Sequence, residues 1–168
     1  LGENMCSGIP MGNIVAGEPN YGQPLATGGI FARAIAHFDS ALAYATDSVR
    51  ILNFARIGQG RALLDAGRSA DAASAIIGVP TAYAYVTYHA ASQPNGVFGI
   101  TNNSRFITVA DRDGGNGLNF RSAVDPRVQT TLIGKGVDGV TDVYAFTRYN
   151  SLAAPIPLAS GIETRLIE

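Results

Sequence analysis

The sequence has little cysteine, no tryptophan and few charged residues. Cys6 is the single cysteine among 168 residues, so an internal disulfide is impossible and a cysteine-rich metal site is excluded. Lysine and arginine total 12 against 13 acidic residues, which gives a net charge of -1, and no basic run occurs. Nucleic acid and anionic membrane surfaces are therefore not expected partners. Hydrophobic residues still make up 46% of the chain, which is enough for the core of one domain.

Signatures of catalysis are equally scarce. No nucleophile elbow, HExxH sequence or pair of suitably spaced carboxylates occurs, and the two histidines, His37 and His89, have no evident nucleophile partner. The sequence at 134–139 satisfies GxGxxG, but it precedes a strand pattern where a dinucleotide site needs a helix, so it favours a hairpin turn. We expect a protein that is not an enzyme and that holds no cofactor.

A calcium site is the metal site that the sequence suggests most directly, at residues 111–122. Asp111, Asp113 and Asn116 resemble the start of an acidic calcium-binding loop. However, Gly115 stands at the third ligand position, and Ser122 stands where a bidentate glutamate is needed. A structural turn is the favoured interpretation, and we expect no metal.

What the chain does contain is a helical pattern of small and large residues. The segment from Gly60 to Ile76 keeps the spacing of a tetratricopeptide (TPR) helical hairpin, with Ala72 at the expected helix crossing and Gly67 at the turn. Part of the pattern recurs upstream around Ala34. Two ordinary amphipathic helices that happen to carry alanine are the alternative. We predict helices over about 28–46, 49–66 and 70–78, with Asp47 or Ser48, and then Ser69, as caps.

The organisation along the chain follows from changes in composition. Residues 1–28 are dense in glycine and proline and predict an irregular lead-in. TPR-like helices occupy 28–80, and an inserted region of loops and β-structure occupies 81–156. There, 106–109 is a predicted strand, and 130–133 is predicted to pair with 140–149. Residues 157–168 begin another helix, capped by Ser160. The predicted fold class is mostly α, built of TPR-like helical hairpins with an irregular and β-hairpin insertion.

Five segments, in order, carry a resemblance to a known family. They are LGENMC at 1–6, RALLDAGR at 61–68, DRDGGNG at 111–117, DPR at 125–127 and PLASGIETRLIE at 157–168. Together they resemble the SusD/RagB family over nearly the whole chain. The resemblance implies a single SusD-like domain fragment without a lipoprotein signal. Because the chain ends within a predicted helix, we expect an uncovered apolar surface there and self-association of the fragment.

The resemblance also implies a function and partners. Members of the family lie on the outer surface of the bacterial outer membrane, where they bind glycans or other nutrients for import through a SusC-like TonB-dependent transporter. We therefore expect non-catalytic binding of an oligosaccharide or similar nutrient, with that transporter as the protein partner. Two alternatives remain open: a TPR adaptor that binds a peptide or protein, and a hydrolase that acts on a polysaccharide or ester.

The candidate ligand site lies in the predicted loops after the helices. It consists of Tyr85, Tyr88, Asn102, Asn103 and Phe106. Flat aromatic faces and side-chain amides suit the apolar faces and the hydroxyl groups of a sugar. The alternative is that the aromatic residues cover the helices and that the asparagines form turns.

Overall fold

The computed structural model describes residues 7–112 and 119–168, which form two compact units. The first unit contains residues 7–85 and 158–168, and the second contains 86–157. The helices are α1 Thr27–Tyr44, α2 Val49–Asp65, α3 Ser69–Ala75, α4 Gly96–Phe98 and α5 Gly161–Ile167. The strands are β1 Ile9–Val15, β2 Glu18–Leu25, β3 Ala84–Thr87, β4 Thr130–Lys135, β5 Asp142–Phe146 and β6 Ile156–Ser160. β1 pairs with β2, β3 with β6 and β4 with β5.

The predicted fold class is wrong. Over the described residues the chain is 38% helical and 25% strand, with five α-helices and several small antiparallel sheets, so it is a mixed α and β fold and not a mostly α TPR-like array. The predicted irregular lead-in is also wrong, because β1 and β2 form an antiparallel hairpin in it. The turn of this hairpin is Ala16-Gly17, with φ of 52° and 87°, and positive φ at both central residues is typical of a tight hairpin turn.

The first three helices confirm the positions of the predicted helices. Ser48 caps α2 by accepting a hydrogen bond from the Ile51 amide, and Gly67 ends α2 with φ of 76°. Ser69 is the first residue of α3 and not its cap, which is Arg68. Short local signals thus place these helices.

The core of the first unit lies between α2, α3 and α5. One cluster joins Leu63, Ala72, Ile76 and Ile167, and a second joins Ile57, Val79 and Ala159. Ala72 is fully buried, as its predicted place at a helix crossing requires. A Cβ on Gly60 would lie 2.7 Å from Cγ2 of Ile76, so the glycine permits this close packing of α2 against the segment that follows α3.

The last segment of the chain packs against the same helices. Ser160 caps α5 by accepting a hydrogen bond from the Glu163 amide at 3.3 Å, as predicted. Arg61 on α2 holds Glu163 through two hydrogen bonds and donates to the Leu158 carbonyl at 2.8 Å. The Gly161 amide donates to the Tyr83 carbonyl at 2.8 Å. Residues 158–168 are therefore part of the first unit although they lie far from it in sequence.

The second unit is organised around the β4–β5 hairpin. Its register pairs Thr130 with Phe146 and Lys135 with Asp142, which confirms the predicted hairpin. Val143 and Ala145 on β5 are buried. Residues 106–109 form no assigned strand. They run beside β5 all the same, because the Val109 amide donates to the Tyr144 carbonyl at 2.9 Å.

Candidate functional site

The segment from Arg105 to Ala110 lies at the centre of the candidate site. Thr108 holds it to β5: its hydroxyl accepts from the Tyr144 amide at 2.8 Å and donates to the Asp142 carbonyl at 3.1 Å. Two cavities share this segment, because Ile107 and Thr108 line both of them. We call them the polar cleft and the apolar pocket.

The polar cleft is a small cavity of about 140 Å³. Its lining residues are Arg105, Phe106, Ile107, Thr108, Gly136, Val137, Asp138, Thr141 and Val143. The Phe106 side chain is 67% exposed, so its ring is accessible to a ligand. A guanidinium, a carboxylate, a hydroxyl and an aromatic ring therefore lie around one cavity.

Asp138 owes its position to the turn between β4 and β5. Its Oδ1 accepts hydrogen bonds from the Val140 amide at 3.0 Å and the Thr141 amide at 2.9 Å, and its Oδ2 accepts from the Thr141 hydroxyl. The hydrogen bond from the Thr141 hydroxyl, followed by those from the two amides, lowers the pKa of Asp138. The carboxylate is therefore ionised at neutral pH, and its hydrogen bonds hold it in one orientation.

The apolar pocket is larger, at about 440 Å³. Its lining residues are Val97, Ile100, Thr101, Ile107, Thr108, Val109, Ala110, Phe120 and Phe146. The lining is apolar apart from two threonines, and the Thr101 hydroxyl is engaged with the Val97 carbonyl at 2.6 Å. This volume lies within the range of about 300–1,000 Å³ that small-molecule sites occupy, whereas the polar cleft is below it.

The structure brings one of the five predicted site residues, Phe106, to the polar cleft. Tyr85 lies in the first unit, where it stacks on Phe54 at 4.1 Å and receives the Arg50 guanidinium at 4.2 Å from its ring centre. That ring is engaged within the protein. Tyr88 is 81% exposed and lines neither cavity.

The two predicted asparagines end the π-helical turn Gly99–Asn103. The Oδ1 of Asn102 accepts a hydrogen bond from the Thr101 hydroxyl at 2.8 Å. Asn103 is exposed. Neither of them lines the polar cleft or the apolar pocket. Their arrangement fits a role in the turn.

Sequence reasoning missed Arg105, Asp138 and Thr141 as site residues. The predicted turn at 134–139 overlaps the observed turn at 136–141, whereas Gly134 and Lys135 belong to β4. The signal for Asp138 was its place in that glycine-rich stretch. Arg105 directly precedes the predicted Phe106. No local pattern shows that the two segments meet, because about 30 residues separate them.

Two acidic candidate residues, Asp125 and Asp111, are held by hydrogen bonds from residues near them. Asp125 forms a two-pronged ion pair with Arg127 in a short 3₁₀ turn, and the hydrogen bonds from Arg127 lower its pKa to about 2. Oδ1 of Asp111 accepts hydrogen bonds from the amides of Arg121 and Ser122 at 3.0 and 2.7 Å. The predicted calcium-like loop otherwise lies at 113–118, outside the described residues.

The described residues contain neither a metal-binding cluster nor a helix that could span a membrane. Within residues 7–112 and 119–168, no group of three or more histidine, cysteine, aspartate or glutamate side chains could hold a metal ion. None of the helices described in those ranges is long and apolar enough to cross a membrane.

Comparison with known proteins identifies no relative. No protein-family model matches the chain, and neither the curated proteins nor the solved structures include a significant match.

Proposed function

We propose that this protein binds a glycan or a similar polyhydroxylated nutrient without transforming it chemically. The observation that supports the proposal is the polar cleft, in which the exposed Phe106 ring lies beside Arg105, Asp138 and Thr141. An aromatic face packs against the C–H groups of a sugar ring, while guanidinium and carboxylate groups exchange hydrogen bonds with hydroxyls. These are the two kinds of contact that a sugar needs.

The cleft holds one part of such a ligand. Its volume of about 140 Å³ is well below that of a site for a drug-sized molecule, so it suits a single sugar residue or one substituent of it. The rest of an oligosaccharide would extend over the exposed surface. Binding would then be weak per site, as suits a protein that passes its ligand onwards.

Delivery to a SusC-like TonB-dependent transporter at the bacterial outer surface is part of the proposal. Its support is the resemblance of the five sequence segments to the SusD/RagB family, which does not depend on the cleft. The TPR adaptor has lost its basis, because it needs a stacked helical array and the fold is mixed. A hydrolase remains the competing function, and the sequence offers no pair of carboxylates suitably spaced for one.

Isothermal titration calorimetry with a panel of neutral and acidic oligosaccharides tests the proposal. Replacing Phe106 with alanine should weaken binding about 5- to 10-fold, because an aromatic contact contributes about 1 kcal/mol beyond its buried area. Tyr88→Ala is the matched control, since Tyr88 is also a largely exposed aromatic residue but lies outside the cleft. Its affinity should not change.

Two results would contradict the proposal. Binding of no oligosaccharide in the panel, or loss of binding in Tyr88→Ala with Phe106→Ala unaffected, would remove the cleft as the site. Chromatography of the ligands after prolonged incubation distinguishes the hydrolase, because shortened products would appear only if the protein cleaves them.

A further inference from the structure

Arg105 has a backbone conformation that few arginines adopt. Its φ is 52°, in the left-handed region, which costs a residue with a side chain about 1 kcal/mol or more. Flanking hydrogen bonds hold it there: the Ser104 amide donates to the Gly99 carbonyl at 2.9 Å, and the Phe106 amide donates to the Ile100 carbonyl at 3.1 Å. Such strain persists only where the surrounding structure fixes it, and it concentrates at functional positions.

Gly134 on β4 provides room for the Arg105 side chain. A Cβ at Gly134 would lie 3.2 Å from Nη1, 3.6 Å from Cζ and 4.0 Å from Nη2 of Arg105. The guanidinium therefore packs on the bare backbone of β4, and a side chain at position 134 would displace it. Backbone strain at one residue and a glycine at the other thus combine to hold one cationic group at the polar cleft.

Among the described residues, Arg105 has no ion-pair partner. In the described part of the chain, no carboxylate lies within ion-pair distance of it, and it forms no hydrogen bond through its side chain. Asp138 lines the same cleft but already accepts three hydrogen bonds from its own turn. The nearby Lys135 is paired with Asp142 at 2.7 Å. Since no described residue accepts a hydrogen bond from the Arg105 side chain, its N–H donors can bind a ligand.

We propose that the polar cleft selects a sugar residue that carries an anionic group, and that Arg105 binds that group. This inference rests on the proposed function and narrows its ligand class to acidic glycans. The planar guanidinium matches a carboxylate in a two-pronged arrangement, as a uronic acid would supply. The small volume of the cleft suits one such substituent, and Phe106 beside it contacts the ring that bears the carboxylate.

The test compares an oligogalacturonate with its methyl ester, which lacks the negative charge and carries one additional methyl group on each carboxyl group. Calorimetry on the full chain should show at least about tenfold tighter binding of the acid, because a hydrogen bond between charged groups contributes more than a neutral one. Arg105→Asn removes the charge while tolerating the left-handed backbone, so it should lose this preference and bind both ligands as the wild type binds the ester.

Two further variants make the test specific. Arg33→Asn makes the same charge change at an exposed position on α1 and should retain the preference. Arg105→Lys keeps the charge without the planar fork, and we expect an intermediate preference. It also replaces Arg105→Asn if thermal unfolding shows that the asparagine variant does not fold.

Each outcome is decisive. Equal binding of the acid and the ester by the wild type would overturn the inference while leaving the proposed function intact. If Arg33→Asn loses the preference as strongly as Arg105→Asn, net charge and not the cleft is responsible, and the inference is wrong. Binding of neither ligand, nor of any neutral oligosaccharide, would overturn the proposed function together with the inference.

Discussion

Replacing Gly161 with alanine should destabilise the protein by about 2–3 kcal/mol. Gly161 is the first residue of α5, and a Cβ there would overlap the carbonyl oxygen of Pro80 and lie 2.7 Å from that of Thr81. Overpacking costs about 1–3 kcal/mol, and we expect the upper end because backbone carbonyls cannot rotate away as side chains do. A shift would also strain the hydrogen bond from the Gly161 amide to the Tyr83 carbonyl, worth about 1 kcal/mol. The better helix propensity of alanine returns about 0.5–1 kcal/mol.

Thermal unfolding followed by circular dichroism measures this change. A loss of about 2–3 kcal/mol lowers the Tm of a chain of this size by roughly 5–10 °C. Gly28→Ala is the matched control, since Gly28 also lies in the first turn of a helix and no atom lies within 4 Å of its Cβ position. That variant should be as stable as the wild type or slightly more stable. Equal Tm values for the wild type and Gly161→Ala would refute the packing of α5 against residues 80–83.

Three further predictions concern core packing, acid stability and backbone strain. Ala72→Leu should destabilise the protein by about 1–3 kcal/mol because Ala72 is fully buried. Ala34→Leu should destabilise it less, because Ala34 is half-buried. Urea denaturation compares the two variants, and an unchanged midpoint for Ala72→Leu would contradict the packing. The pKa of Asp125 is lowered to about 2, so its contribution to stability is complete above about pH 4 and is lost as the pH falls towards 2. Asp125→Asn should therefore flatten the pH dependence of unfolding in that interval, and an unchanged slope there would refute the interpretation. Val124 is a β-branched residue with φ of 52°, so Val124→Gly should raise the free energy of unfolding by about 0.5–1 kcal/mol in urea denaturation. A loss of stability would show that the Val124 side chain contributes more to stability than its backbone strain costs.

The helices and the second hairpin could be predicted because their signals are local. Ser48 and Gly67 mark helix ends through their own side chain and backbone preferences. Two runs of strand-forming residues on either side of a glycine-rich stretch predict the β4–β5 hairpin. Each signal lies within a few residues of the element that it specifies. The predicted mostly α fold failed because it placed β-structure only in the insertion, whereas β1 and β2 also form a hairpin in the predicted lead-in.

The first hairpin was missed because its glycines were interpreted as breakers of structure. In the structure they permit close pairing: a Cβ on Gly12 would lie 2.8 Å from the Asn20 carbonyl oxygen, and one on Gly22 would overlap that of Met11. The register shifts between Pro10 and Gly12, as at a β-bulge, where glycine is common. Nearly every residue of both strands is exposed, so no alternation of polar and apolar residues marks them.

The candidate site could be predicted in part. Phe106 was found because it is an aromatic residue in the predicted insertion. Its companions Arg105 and Asp138 come together through the pairing of β4 with β5 and the passage of residues 105–110 beside β5. The left-handed conformation of Arg105 has no signature in sequence, since any residue other than glycine is expected to avoid it. The stacking of Tyr85 on Phe54 had no signal in the sequence, because it is a tertiary contact between distant segments.

The β1–β2 hairpin should have a lower local free energy of unfolding than the helical core. A two-stranded ribbon with almost no buried side chains gains little from the hydrophobic effect, so its hydrogen bonds are held mainly by its tight turn. Its amides should therefore exchange with solvent through local opening, at a free energy far below that of the amides around Ile57 and Ile76. The protein would then have two levels of stability, with a ribbon that opens and closes many times while the helical core stays folded.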